Sequence, residues 1–133
     1  MNKKRNEKLI IAANDALLSS GIIKTDRDNK QYINESYNGQ TAALGVTIAM
    51  TGLRPALAIY SQYSGDSKFD KKNILKIIGA MIKNPDTNQP FASAIELFRY
   101  ALDNQDEKWL KREIIDCSIA LKQVIRTYNL LKL

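Results

Sequence analysis

Apolar residues recur along most of the chain at steps of three and four, and that spacing predicts helices throughout. In the first, over about Lys3 to Ser20, the residues Leu9, Ile10, Ala13, Ala16 and Leu17 make one apolar face, and Gly21 follows as a left-handed stop. A polar link then holds Thr25, Asp26, Arg27 and Asp28. Thr25 and Asp28 have the spacing of a capping box, so the second helix is expected to begin here and to run to about Thr51. Its buried stripe is Ile33, Tyr37, Leu44 and Ile48. Gly39, Ala42, Ala43, Gly45 and Ala49 are small, and interior glycines cost a helix roughly 1 kcal/mol each against alanine. A packing reason is therefore expected for them: the close approach of another helix.

Gly52 ends this helix, and Pro55 suits the first turn of the next, where its missing N–H is no loss. Leu53, Leu57, Ala58, Ile59 and Tyr60 leave that third helix apolar nearly all round, the mark of an element wrapped by others. Asn38 to Tyr63 is accordingly predicted to be the central hairpin of the core. A fourth helix, capped by Asp70, is expected to Lys83 and to bury Ile74, Leu75, Ile77, Ile78, Met81 and Ile82. The stretch KNPDTNQP, bounded by two prolines, reads as a loop. The fifth helix starts near Phe91 and carries Ile95, Leu97, Phe98 and Leu102. The last runs from near Asp106 to about Leu131, with Trp109 or Leu110, Ile114, Cys117, Leu121, Ile125 and Tyr128 inward. The prediction is an all-α protein: one compact bundle of about six helices over residues 1–133.

Composition narrows the chemistry. With 133 residues, 44% hydrophobic and 26% charged, the chain can bury a core without metal or disulfide support. Histidine is absent and Cys117 is the one cysteine. The commonest general base near neutral pH and the usual zinc ligands are thereby missing. Cys117 lies in an apolar helical stretch and reads as a buried small hydrophobe. No apolar run is long enough to span a membrane. The basic start MNKKRNEKL leads into an apolar segment broken by Asn14 and Asp15, which fits an amphipathic helix better than a signal peptide, and a cytoplasmic protein is expected.

The net charge of +6 favours a phosphate-bearing partner, and its distribution is uneven. Residues 31–65 hold one basic group, Arg54, and one acidic group, Glu35. The cations gather at Lys3, Lys4, Arg5 and Lys8, at Lys68, Lys71, Lys72 and Lys76, and at Lys108, Lys111, Arg112, Lys122 and Arg126. In the last helix, positions 108, 111, 112, 115, 119, 122 and 126 follow three- and four-residue steps, so Lys108, Lys111 or Arg112, Lys122 and Arg126 are expected to share a side, with Ile115 and Ile119 between them. The bland reading is a solvated face; the sharper one is a mixed contact surface, where isoleucine meets protein and the cations meet phosphate. Arg54, alone beside a helix junction, is expected to snorkel or to cap the C-terminal carbonyls of the second helix, with a phosphate contact as the alternative. Asp26 with Asp28 and Asp106 with Glu107 stand at predicted helix starts, where the dipole accounts for them. No glycine-rich phosphate cradle and no aromatic stacking platform is visible, and neither metal nor cofactor is called for.

Three segments in order, YNGQTAALGVTIAMTGLRPALAIYSQ, DKKNILKIIGAMI and SAIELFRYALDNQDEKWLKREI, resemble the small helical subunit of the type III-B CRISPR RNA-targeting (Cmr) complex. The likeness covers about Tyr32 to Tyr128. It rests on an aromatic-Asn-Gly opening to a small-residue helix, a Gly-Leu-x-Pro-Ala-Leu-Ala turn and helix, and the approach to the terminal helix. The resemblance implies a non-catalytic subunit that stacks head to tail with its own copies and neighbouring Cmr subunits, and meets guide and target RNA through the backbone. The RNA-contact candidates come from the charge pattern instead: Lys108, Lys111, Arg112, Lys122, Arg126, Arg54, Lys71 and Lys72. A competing expectation is a DNA-binding regulator with a helix-turn-helix in 55–83.

Overall fold

The computed structural model describes residues 1–104 and 107–133. Among them are six α-helices: α1 (Lys3–Leu18), α2 (Glu35–Thr51), α3 (Leu53–Tyr60), α4 (Lys72–Ala80), α5 (Ala94–Asp103) and α6 (Glu107–Ile125). The expected start of the last helix at Asp106, and the Asp106–Glu107 carboxylate pair, fall outside the described residues and side chains. Helix α6 packs most extensively against α1 and α2, and α4 lies against α1, α5 and α6. The core these helices enclose takes Ala13 and Leu17 from α1, Leu44 and Ile48 from α2, and Leu53, Leu57 and Tyr60 from α3. Ile74, Leu75, Ile77 and Ile78 join it from α4, Leu97 from α5, and Leu110, Ile114, Cys117, Leu121 and Ile125 from α6.

Five short strands tie the ends of the bundle together. β1 (Lys24–Thr25) and β2 (Gln31–Asn34) form an antiparallel hairpin, and β5 (Asn129–Leu131) joins β2 in parallel, Tyr32 facing Asn129 and Asn34 facing Leu131. The expected helix start at Thr25 is thus a hairpin turn. Asp26 Oδ1 accepts from the Asp28 and Lys30 amides, and Asn29 takes φ 60. Aspartate serves such turns by the same side-chain-to-backbone bond that would cap a helix. The cap of α2 is Asn34, whose Oδ1 accepts from the Ser36 amide. Likewise KNPDTNQP is a small hairpin, β3 (Lys83–Asn84) against β4 (Gln89–Pro90), and Ser93 caps α5 by accepting from the Glu96 amide. Helix α4 begins later than expected, although Asp70 does accept from the Lys72 amide at the lead-in turn. Helix α6 stops at Ile125 because the chain turns off into β5.

The junction of α2 and α3 is Gly52, with φ 91 and ψ 165, a region open essentially to glycine alone. It is C-cap to one helix and N-cap to the other. Gly79 has a different task. An added Cβ there would stand 3.1 Å from the Phe91 Cβ, so the glycine lets α4 press against the residue that follows β4.

Two packing expectations are corrected. Helix α3 is wrapped as predicted, but α2 is only half inside. Val46 is 59% and Met50 80% exposed, and an added Cβ at Gly39 or Gly45 would meet nothing within 4 Å. Gly39, Ala42 and Ala49 therefore face outward, Ala43 and Gly45 are half-buried, and no helix of the described chain approaches those two glycines. On α5, Ile95 and Leu102 are exposed while Leu97 is fully buried. A ten-residue helix seated on one side turns only its Leu97 stripe inward.

Candidate nucleic-acid interface

The three- and four-residue steps put Lys108, Lys111 or Arg112, Lys122 and Arg126 on one side of the last helix; the structure turns all five toward solvent. Lys108, Lys111, Arg112 and Arg126 are exposed and Lys122 is half-buried. The Arg126 amide still donates to the Lys122 carbonyl at 3.1 Å, so the helical path carries through to it. At 1.5 Å of rise per residue the ridge from Lys108 to Arg126 is about 27 Å long. Between the cations Ile119 is 41% exposed and Ile115 half-buried against the core.

The ridge keeps its charge against Glu113 and Asp116 because these two acids of α6 point elsewhere. Glu113 and Asp116 meet Arg5 of α1, Oε2 to Nη2 at 2.9 Å and Oδ2 to Nε at 3.1 Å. Those are the ion pairs found among the described residues. The Glu113 and Asp116 hydrogen bonds raise the Arg5 guanidinium above its ordinary value. One cation from the first basic cluster is thus an internal clamp between α1 and α6, and the five outward cations have no carboxylate partner among the described residues. Cys117 lies beneath this clamp, fully buried, its thiol pushed up to about 12 mainly by burial. A thiol held neutral in that way is not a nucleophile at physiological pH.

Arg54 stands apart from the ridge. Its Nε donates to the Ala101 carbonyl and its Nη2 to the Asn104 carbonyl, both at 2.8 Å. It therefore caps a helix, but the helix is α5 rather than α2. The driving force is as expected, a cation placed against carbonyls left unpaired at a helix C-terminus.

Lys71 and Lys72 form a second patch at the head of α4. Lys71 Nζ lies 5.5 Å from the Tyr60 ring centroid and Lys72 Nζ 5.6 Å from that of Tyr63. Sequence reasoning found no aromatic platform, yet Tyr63 is 87% exposed. The signal available was an aromatic residue in the polar run SQYSGDSK, with no apolar partner at helical spacing. In the 55–83 region, α3 and α4 are joined by residues 61–71, far longer than the three- or four-residue turn of a helix-turn-helix. Helix α4 also turns Ile74, Leu75, Ile77, Ile78 and Gly79 inward, leaving few side chains to read base edges.

Among the described residues no group of three or more Cys, Asp or Glu could hold a metal ion, and no helix is long and apolar enough to cross a membrane. No protein-family model, curated protein or solved structure matches this chain.

Proposed function

We propose that this chain is a non-catalytic, RNA-backbone-binding subunit of a type III-B CRISPR effector complex, acting in the cytoplasm in antiviral defence. One observation carries the reading. Among the described residues the five outward cations of α6 form a ridge without carboxylate partners, while Glu113 and Asp116 of the same helix are turned inward onto Arg5. A neutralised ridge would serve stability alone; a charged one fits a strand of phosphates. The resemblance of residues 32–128 to the small Cmr subunit supplies the complex in which such a ridge would work. There, base pairing reads sequence and protein meets the backbone.

Head-to-tail stacking with copies of itself belongs to the same proposal. A stack that does not close needs two different complementary faces per subunit. The exposed outer side of α2, with Gly39, Val46 and Met50 and Glu35 at its head as a single charge, is one such face, and the α6 side is another. The test is recovery of the tagged chain from its native cells at low salt. Large particles that contain RNA and lose the chain at high salt support the reading. Recovery as a lone protein free of RNA contradicts it.

A further inference from the structure

We propose that Tyr63 is the stacking surface of a site for an unpaired base of single-stranded RNA, with Lys71 and Lys72 taking the adjoining phosphates. This rests on the RNA reading above but concerns a different patch from the α6 ridge. A tyrosine 87% exposed contributes almost nothing to the core, yet the chain on both sides of it is hydrogen-bonded. Before it, the Ser61 and Gln62 amides donate to the Ala58 and Ile59 carbonyls and finish α3. After it, the Ser64 hydroxyl donates to the Phe69 carbonyl and accepts from the Asp66 amide. Asp66 Oδ1 in turn accepts from the Lys68 amide. The ring is thus presented on a braced loop.

Beside it opens a cavity of about 230 Å³. Ile59 and Phe69 give it apolar wall, Gln62 and Ser64 give it hydrogen-bonding groups, and Lys71 gives it a cation. Asp66 also lines it, with one oxygen already engaged. Across 66–72 the lysines 68, 71 and 72 outnumber Asp66 and Asp70, so the patch attracts anions. An exposed aromatic, an amide with donors and acceptor, and flanking cations are what a splayed base and its phosphates require. The Lys72 ammonium near the ring adds a cation–π contact that holds the pair together until a base arrives. A duplex, whose base faces are already stacked, gains nothing from Tyr63.

The test uses the full chain, a fluorescent short oligouridine and an RNA duplex of equal length, at low salt. Tyr63→Ala is expected to weaken the single strand about tenfold and leave the duplex unchanged. Tyr63→Phe, which keeps the ring, should stay within about twofold of the original. Lys72→Ala should flatten the dependence of log affinity on log salt by about 0.7. Photocrosslinking of an iodouridine-substituted strand should map to Tyr63. Unchanged single-strand affinity in Tyr63→Ala overturns the inference, and if neutralising α6 still weakens binding, the broader RNA reading survives that failure. Equal losses on strand and duplex overturn it too, because a stacking site distinguishes them. Absence of any RNA binding overturns both.

Discussion

Replacing Gly52 with alanine should destabilise the chain, while the same substitution at Gly39 should stabilise it. Gly52 sits at φ 91 and ψ 165, where an L-residue pays about 1–3 kcal/mol of backbone strain. Its new Cβ would meet only the Pro55 Cδ at 3.7 Å, an ordinary contact, so no clash adds to that figure. Alanine narrows the unfolded ensemble and returns about 0.4–1 kcal/mol. The net loss is about 1–2 kcal/mol, or a fall in Tm of about 4–8 °C for a domain of this size. Gly39 lies inside α2 with nothing within 4 Å of an added Cβ. Alanine there gains helix propensity and should raise stability by about 0.5–1 kcal/mol. Urea melts followed by circular dichroism on the dilute chain measure both. A neutral or stabilising Gly52→Ala would refute the glycine-only geometry of the α2–α3 junction. A destabilising Gly39→Ala would mean that the outer side of α2 is packed against something even in the lone chain.

Two further outcomes follow from single side chains. Arg54→Ala removes two hydrogen bonds onto the end of α5 and should cost about 1–3 kcal/mol in denaturant melts, while leaving the salt dependence of RNA binding unchanged. Cys117 should resist alkylation in the native state at mildly alkaline pH and react at once in urea. Burial raises the folded thiol from 9.0 to about 12 and the Tyr60 phenol above its ordinary 10.0. The unfolded chain therefore releases these protons first. Stability from this source is intact below about pH 9 and falls as pH rises towards 12; Cys117→Ala should flatten that decline.

The helices were legible where apolar residues repeat over several turns. Leu44 and Ile48, Ile74, Leu75, Ile77 and Ile78, and Ile114, Cys117, Leu121 and Ile125 all lie inside as their spacing requires. The strands were not, because each is two to four residues long and β2 owes its place to a partner nearly a hundred positions away. Thr25 and Asp28 misled because the side chains that cap helices also close turns. The small residues of α2 show a different limit: their size signals that close approach is allowed, not that a partner within the same chain takes it up. Of the candidate contact residues, the α6 face followed from helical period alone. The inward turn of Glu113 and Asp116 did not, since it depends on where α1 brings Arg5.

The salt dependence of single-stranded RNA binding tests the central claim most directly, comparing the chain with a variant in which Lys108, Lys111, Arg112, Lys122 and Arg126 are all alanine. Each cation on a phosphate contributes about −0.7 to the slope of log affinity against log salt, so the variant should be flatter by as much as about 3.5 while melting as before. Identical slopes for the two proteins would contradict the α6 ridge as an RNA-binding surface.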